Sequence, residues 1–242
     1  MAVLPSVPDT EQMKRIGLLG GMSWESSAEY YRRLNELVRE RLGGLRSARV
    51  LLDSVDFAEV EALQADARWE EAGALLAERA RALEAGGAEI VALCTNTMHK
   101  VVSDVEDAVQ VPVLHIADAA ARRIQSAGIA QVGLLGTAFT MEQDFYRSRL
   151  AERGIETLVP AQDDRTAVHR IIYDELVQGV VSEESRQTYR EVIQRLVADG
   201  AEGVILGCTE IELLVGPEDS PVPIFPTTRL HVEALVAASL DS

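Results

Sequence analysis

The chain has 242 residues, of which 47% are hydrophobic, and its formal net charge at pH 7 is −16. This charge disfavours nucleic acid and anionic membranes as partners, because both bind basic surfaces. No apolar run approaches the roughly 20 residues that span a bilayer, and Met1–Met13 lacks the apolar stretch of a signal peptide. We therefore expect a cytoplasmic protein without a membrane segment, whose two cysteines are reduced rather than bridged.

The predicted elements alternate between strands and helices. In chain order they are strand Arg15–Leu19, a glycine turn with an amphipathic helix, strand Arg49–Asp53, helix Trp69–Ala85 and an apolar strand ending at Cys94. The second half repeats this order with strand Gln131–Leu135, strand Glu156–Val159, helix Glu184–Ala198 and an apolar strand ending at Cys208. The alternation predicts α/β lobes with mostly parallel sheets covered on both faces. Ligands of such sheets bind beyond the carboxyl ends of the strands, where both cysteines fall.

The two halves are near-copies of one another. Residues 86–95 read GGAEIVALCT and residues 199–209 read DGAEGVILGCT, with their cysteines 114 residues apart. RIGLLG at 15–20 matches QVGLLG at 131–136 with an offset of 116, and VPV at 111–113 matches VPI at 222–224. These matches predict an internal duplication, whose repeat is far longer than those of solenoid proteins. One thiol from each half is what a proton shuttle working on both faces of one carbon would need.

Several interpretations of the cysteines remain open at this point. A cysteine is most often a small buried hydrophobic residue, and a disulfide between Cys94 and Cys208 would exclude a proton shuttle. A zinc site is not indicated, because Cys94 and His99 do not supply the four ligands that zinc needs. The catalytic interpretation rests on both cysteines occupying the matching strand end of their half.

Polar residues follow each cysteine. Thr95, Asn96 and Thr97 come after Cys94, and Thr209 and Glu210 come after Cys208. If helices begin there, their free N–H groups and these side chains form an anion pocket, although the same residue types serve as ordinary helix caps. Glu210 is placed to orient a thiol, to bind an ammonium group or to start a helix.

The glycine-rich segment at 17–27 (GLLGGMSWESS) is not a nucleotide-binding motif. Its glycines do not fit G-x-G-x-x-G, and no Lys-Ser/Thr pair follows as in a P-loop. It predicts a tight strand-to-helix turn whose backbone can approach a small ligand, with Met22 and Ser23 at its tip. Ser23 fits a helix cap equally well. The four histidines share no spacing, and we expect them to be structural.

Three motifs, in order along the chain, resemble the aspartate/glutamate racemase family, whose members are independent of pyridoxal phosphate. They are GLLGGMSWES at 17–26, CTNTMHK at 94–100 and GCTE at 207–210. The resemblance covers the chain from about Lys14 to its end. The segments SVDF at 54–57 and TMEQDFY at 140–146 resemble most closely the broad-specificity amino-acid racemase branch.

The resemblance implies two pseudo-symmetric three-layer lobes with the active site between them. Residues 1–116 with 228–242 would form the first lobe, because the last helix (about Thr228–Ala238) returns to it, and residues 117–227 the second. Cys94 and Cys208 would be the two acid/base thiols. The α-carboxylate and amino group of the substrate would be held by residues that flank them, namely Thr95, Asn96, Thr97 and Thr209, with backbone near Met22. The family further implies an amino-acid substrate, no cofactor, no metal and a homodimer.

The sequence departs from the aspartate-specific pattern in two places. Aspartate racemases carry an arginine after the second strand and a lysine early in the second lobe, where this chain has SVDF at 54–57 and DRTAVHR at 164–170. Arg165 is the candidate substitute for binding a side-chain carboxylate, and we expect a specificity broader than aspartate. The alternatives are a related carbanion or thiol-adduct enzyme, of hydantoin racemase, maleate isomerase or decarboxylase type, and a two-lobe binding protein without turnover.

Overall fold

A computed structural model describes residues 13–241. Residues 1–12 and 242 lie outside the described residues, and with them most of the N-terminal segment on which the predicted location rests. The first sheet contains β1 (Ile16–Gly20), β2 (Val50–Ser54) and β3 (Ile90–Leu93) in the parallel order β2-β1-β3. A single parallel bridge from Val91 to Val113 extends it beyond β3.

The second sheet repeats this arrangement with one more complete strand. It contains β4 (Gln131–Gly136), β5 (Glu156–Leu158), β6 (Val204–Gly207) and β7 (Ile224–Pro226) in the parallel order β5-β4-β6-β7. The strand β7 stands where the Val113 bridge stands in the first sheet, as the sequence match of the two segments predicts. Two parallel sheets in an α/β chain confirm the predicted fold class.

The helices connect the strands of each sheet. The first half contains α1 (Trp24–Leu42), α2 (Phe57–Ala65), α3 (Trp69–Ala85), α4 (Val102–Glu106) and α5 (Ile116–Ser126), with a 3-10 turn at Thr97–Val101. The second half contains α6 (Ala138–Glu142), α7 (Asp144–Ala151), α8 (Gln162–Asp174), α9 (Glu183–Ala198), α10 (Ile211–Leu214) and α11 (Thr227–Leu240), with 3-10 turns at Leu176–Gln178 and Pro217–Asp219. Within residues 13–241, none of these helices has both the length and the apolar character needed to cross a membrane.

Hydrophobic spacing explains why the predicted elements form. The residues Ala72, Leu76, Ala80 and Leu83 recur every three or four positions along α3 and are buried against the first sheet. Their spacing predicts this helix at the observed bounds, Trp69–Ala85. The predicted strands and the helix before Cys208 also form, with bounds that differ by about one residue at one or both ends.

Each sheet lies between two layers of hydrophobic side chains. Along β3, Val91 and Leu93 pack on the side of α3, whereas Ile90 and Ala92 pack on the side of α1 and α11. The strand β6 alternates in the same way, and its Val204 and Leu206 pack on the side of α9. This period of two gives three layers per lobe, because successive strand side chains point to opposite faces of a sheet.

The last helix of each half packs on the sheet of the other half. Leu235 and Val236 of α11 lie in one hydrophobic cluster with Ile16 of β1, and the Lys14 N–H donates to the Ser239 carbonyl at 2.9 Å. In the same way, α5 packs against β4 through the cluster that contains Ile124 and Val132. The predicted return of the last helix to the first sheet is therefore observed, and the exact lobe boundaries stay a prediction.

Candidate active site

A cavity of about 80 Å³ lies at the carboxyl ends of strands from both sheets. Its floor comes from the segments that follow β1, β3, β4 and β6, and its walls come from α2, α8 and the turn after α8. The lining residues are Met22, Ser23, Ser26, Phe57, Gln64, Thr95, Asn96, Thr97, Thr137, Ile172, Tyr173, Val177, Gly207, Cys208, Thr209 and Glu210. The cavity has room for several water molecules or one small ligand.

The turn after β1 brings Met22 and Ser23 to this cavity. Gly21 has φ +86°, and a Cβ there would lie 2.1 Å from the Val55 carbonyl oxygen, so only glycine fits. Ser23 has φ 93°, which is unusual for a residue with a side chain, and its Oγ accepts from the Ser26 N–H at 3.2 Å. Ser23 is therefore both the N-cap of α1 and a residue of the cavity. The two interpretations of Ser23 from the sequence hold together.

The segment after β3 supplies three neighbouring polar residues. Thr95, Asn96 and Thr97 all line the cavity. Asn96 is buried, and its Nδ2 donates to Thr227 Oγ1 at 3.1 Å, whereas its Oδ1 has no hydrogen-bond partner among the described residues. The hydroxyls of Thr97 and Thr137 lie 3.2 Å apart and connect the ends of β3 and β4.

The segment after β6 supplies the thiol of the cavity. Cys208 is partly exposed, and its Sγ donates to Glu210 Oε2 at 2.9 Å. Glu210 Oε1 accepts from the Ser23 hydroxyl, also at 2.9 Å. Burial raises the pKa of the Cys208 thiol, and the neighbouring Glu210 carboxylate raises that pKa further. Thr209 lies beside Cys208 and bonds to Ser26 across the cavity at 2.8 Å.

Cys94 does not line the cavity. It is fully buried in the hydrophobic cluster that contains Ile90, Ala92 and Tyr30, and burial raises the pKa of its thiol. The alternation of β3 thus continues through Cys94, which packs on the side of α1 and α11, while Thr95 lines the cavity. Both cysteines are free, so no disulfide joins them.

The register of the strands corrects the comparison of the two halves. Leu19 pairs with Leu93 in the first sheet, and its repeat partner Leu135 pairs with Leu206 in the second. Leu93 and Leu206 are therefore equivalent, and the offset at these strands is 113 rather than 114. Thr95 is then the equivalent of Cys208, and Cys94 the equivalent of Gly207. The expectation that both cysteines occupy the matching strand end is wrong by one residue.

Arg165 is held outside the cavity. Its guanidinium donates to Glu142 Oε1 at 3.0 Å, to the Pro160 carbonyl at 2.7 Å and to the Gln162 side chain. The expectation that Arg165 reaches the substrate side chain therefore finds no support in its contacts. Among the described residues that line the cavity, Glu210 alone has a formal charge. Within residues 13–241, no group of three or more His, Cys, Asp and Glu is arranged to hold a metal ion.

Sequence reasoning missed the walls of the cavity. Phe57 and Gln64 come from α2 after β2, and Ile172 and Tyr173 come from α8 after β5, so equivalent helices of the two halves form the two walls. No local sequence pattern indicates these four residues as part of the site, because helix packing alone decides which side chains reach the cavity. The repeat could have indicated Thr137. This residue directly follows β4, and the glycine turn of the site directly follows β1, which is the matching strand of the first half.

Comparison with known proteins relates both the sequence and the fold to racemases. A family model described as Asp/Glu/hydantoin racemase matches residues 19–235. The structure of a candidate Asp/Glu racemase from Yersinia pestis is 53% identical, with a TM-score of 0.91 over 95% of this chain and 100% of that one. An aspartate racemase homologue from Pyrococcus horikoshii is 36% identical, with a TM-score of 0.85 and the same coverage. The broad-specificity amino-acid racemase of Bacillus subtilis is 22% identical over 165 residues, 65% of this chain and 68% of that protein. The chain therefore belongs to the Asp/Glu/hydantoin racemase family.

Proposed function

We propose that this protein is a racemase of α-amino acids that works without a cofactor, with Cys208 and Thr95 as the groups on the two faces of the α-carbon. The observation that carries the proposal is that both residues line one cavity from equivalent strand ends. Inversion of a carbon centre needs one group to take a proton and another to supply one from the opposite side, and pseudo-symmetric strand ends provide such a pair.

Polar groups of the cavity match the main-chain part of an amino acid. Asn96 Oδ1 is a buried acceptor that lacks a partner among the described residues. Because buried acceptors are nearly always hydrogen-bonded, a substrate ammonium group would complete its bonding. The adjacent hydroxyls of Thr97 and Thr137 are donors for the α-carboxylate. They would also stabilise the negative charge that the carboxylate gains as the proton leaves.

Two proton transfers invert the α-carbon. The Cys208 thiolate takes the α-proton, the Cα–H bond breaks, and its electron pair spreads into the carboxylate. The Thr95 hydroxyl then gives a proton to the opposite face and the new Cα–H bond forms. Thr95 regains a proton from solvent and Cys208 returns one, which resets the site. The Thr95 hydroxyl is a stronger acid than the α-C–H bond, so it can protonate the carbanion. In the reverse direction the Thr95 alkoxide takes the α-proton and the Cys208 thiol supplies one.

The two-thiol mechanism implied by the family resemblance stays a prediction. Its requirement is that the Cys94 thiol reaches the substrate, but Cys94 packs against Tyr30 and the first-sheet core instead. The thiol would have to leave that core for the cavity. The homodimer and the cytoplasmic location also stay predictions.

We propose neutral amino acids as the preferred substrates. A side-chain carboxylate in this cavity would meet no lining cation, and an unpaired buried charge costs several kcal/mol by rough estimate. The walls offer apolar surface from Phe57, Ile172 and Val177 and one amide from Gln64. The similarity to the Bacillus subtilis racemase of broad specificity supports a range of substrates.

The test measures proton exchange and inversion separately. Single L- and D-amino acids are incubated in deuterated water, with α-deuterium followed by NMR and the enantiomers by chiral chromatography. We expect Cys208→Ser to lower both rates by about 10³-fold or more, because the general base is lost. Thr95→Val should stop inversion while one enantiomer still exchanges its α-proton, and Thr95→Cys should restore inversion with a second thiol.

Cys94→Ala is the matched control, and we expect it to retain inversion at near the wild-type rate. Loss of inversion in Cys94→Ala as complete as in Cys208→Ser, with the fold intact by circular dichroism, would replace this mechanism by the two-thiol one. An absence of exchange with every amino acid would favour one of the other carbanion reactions or a binding protein.

A further inference from the structure

The carboxylate of Glu210 receives a proton donor from each half of the chain. The Cys208 thiol donates to one oxygen at 2.9 Å, and the Ser23 hydroxyl donates to the other at the same distance. Ser23 also lies 3.1 Å from Glu25, but its single hydroxyl proton serves one acceptor at a time. Glu210 is buried, and among the described residues no Lys, Arg or His forms an ion pair with it.

We propose that Glu210 and Cys208 share a single proton, and that Glu210 takes this proton when Cys208 acts as the base. Transfer from sulfur to oxygen converts a thiol beside a carboxylate into a thiolate beside a neutral acid. The S–H bond breaks, an O–H bond forms, and the net charge of the pair remains −1. The reverse transfer returns the thiol. This proposal rests on the proposed function and assigns Glu210 a positioning and proton-holding role, because it acts through Cys208.

Direct loss of the Cys208 proton to solvent is the less favourable route. It would leave a thiolate and a carboxylate side by side in a buried site, and the pKa of Cys208 is raised by burial and by Glu210 for this reason. The backbone N–H groups of Glu210 and Ile211 face the sulfur and lower the pKa of Cys208. A thiolate is therefore favoured by these donors once the proton has moved to Glu210.

The two tyrosines near the pair remain neutral in the working range of pH. Tyr173 from α8 and Tyr189 from α9 are close enough to Cys208 to interact with its charge. Burial raises the pKa of Tyr173 to about 12, and it also raises the pKa of Tyr189. Ser23 does not titrate. Cys208 and Glu210 are therefore the two groups between which a proton can move at this site.

The role of Ser23 follows from its place in the other half of the chain. Its hydroxyl donates to Glu210 Oε1, the oxygen that the Cys208 thiol does not use. The turn that carries Ser23 follows β1, whereas Glu210 follows β6. The contact therefore joins the first half of the chain to the pair formed by Glu210 and Cys208.

The test is the pH dependence of thiol alkylation in the full chain with Cys94→Ala, which leaves one cysteine. Iodoacetamide reacts with the thiolate, so its rate against pH reports the ionisation of Cys208. We expect Glu210→Gln to lower the midpoint by about one pH unit or more, because an amide no longer opposes the thiolate charge. The same change should lower racemisation roughly a hundredfold, since the group that holds the proton is lost.

Glu212→Gln is the matched control, because Glu212 lies two residues further on, pairs with Arg33 and does not line the cavity. Its midpoint should equal that of the parent. Ser23→Ala keeps the carboxylate, and its midpoint should stay within about half a unit of the parent value. An unchanged midpoint in a folded Glu210→Gln variant, or an equal shift in Glu212→Gln, would overturn the proposal. Alkylation needs no substrate, so this result stands whether or not the chain racemises amino acids.

Discussion

Single residues determine the polarity of the part of the cavity that would face the substrate side chain. Gln64 of α2 is buried, and its Nε2 lies 2.9 Å from Met98 Sδ. Arg165, the cation expected from sequence, is engaged by Glu142 and Pro160. The polar group available to a substrate side chain is therefore the neutral amide of Gln64 rather than the guanidinium of Arg165.

A cation at position 64 should move the substrate preference toward dicarboxylic amino acids. Hydrogen bonds to charged groups contribute about 1.5–3 kcal/mol. We therefore expect Gln64→Arg to raise kcat/KM for aspartate or glutamate, relative to alanine or serine, by about tenfold or more. The ratio is measured by chiral chromatography on each amino acid.

Arg165→Ala is the control for this change. Its ratio should equal that of the wild type, because Arg165 has its partners outside the cavity. A selective loss of aspartate activity in Arg165→Ala would mean that Arg165 leaves Glu142 to bind the substrate.

At the scale of helices and strands, three histidines form hydrogen bonds that hold neighbouring segments together behind the cavity. His99 donates from Nδ1 to the Thr95 carbonyl at 2.8 Å and accepts from the Ile116 N–H at its other nitrogen. His115 is the N-cap of α5 and accepts from the Ala117 N–H at 3.1 Å. Each ring thus uses a nitrogen as an acceptor, and protonation would break that hydrogen bond.

The third of these histidines, His231, joins α11 to this group. His231 accepts from the Tyr30 hydroxyl and donates to the Leu114 carbonyl, both at 2.8 Å. Burial lowers the pKa of His231 to about 4 and that of His115 to about 3, and it also lowers the pKa of His99. All three are therefore neutral in the folded protein at neutral pH.

This arrangement predicts a loss of stability in mild acid. Each histidine has a folded pKa below its unfolded value of about 6.5, so the unfolded chain binds more protons. The free energy of unfolding should be greatest above about pH 6.5. It should decrease as the pH is lowered toward the folded pKa values, by up to about 1.4 kcal/mol per pH unit for each histidine. Urea unfolding at pH 7, 6 and 5 measures this slope.

His115→Asn isolates the contribution of one ring. Asparagine is a good N-cap, so α5 keeps its acceptor while the titrating group is removed. The charged neighbours of His115 are Arg149, which lowers its pKa, and Asp118, which raises it, and both remain in the variant. Between pH 6 and 5, we expect the free energy of unfolding of this variant to decrease less steeply than that of the wild type. The difference should be up to about 1.4 kcal/mol per pH unit, which corresponds to one proton. An equal slope would mean that His115 is already protonated in the folded state.

At the scale of the whole molecule, the last helix, α11, completes the hydrophobic core around the first sheet. Leu235 of α11 is fully buried in the cluster that contains Ile16 of β1 and Cys94. Cys94 therefore reports on the integrity of this junction, because a reagent reaches its thiol only when the cluster opens.

Truncation of the Leu235 side chain should make the cluster around Cys94 open to solvent more frequently. We expect Leu235→Ala to lower the free energy of unfolding by about 2–5 kcal/mol, through lost burial and the cavity left behind. Alkylation of Cys94, measured by mass spectrometry in a Cys208→Ser background, should then accelerate by about 30-fold or more. Leu213→Ala is the matched control, because Leu213 is 58% exposed and its loss should change stability by less than about 0.5 kcal/mol. Fast labelling of Cys94 in the parent protein would show that it is not enclosed by α11.

The sequence alone predicted the strands and helices of the two halves and the polar segments that follow β3 and β6. The spacing of Ala72, Leu76, Ala80 and Leu83 is a local pattern, so it predicts α3 without knowledge of any neighbour. The repeated GAE segments and their apolar runs placed a polar site after β3 and β6, because a duplicated sequence folds into equivalent elements. Thr95, Asn96, Thr97, Cys208 and Thr209 follow these strands, Met22 follows the glycine-rich turn, and all six line the cavity.

Only the tertiary structure decided which side chains meet there. The pairing of Leu19 with Leu93, and of Leu135 with Leu206, fixed the register and made Thr95 rather than Cys94 the equivalent of Cys208. A shift of one residue reverses the face of a strand on which a side chain lies, and no property of Cys94 in the sequence reveals that face. The walls from α2 and α8 and the capture of Arg165 by Glu142 depend on helix packing between distant segments. Local periodicity therefore predicted the elements, whereas strand register and helix packing selected the residues of the site.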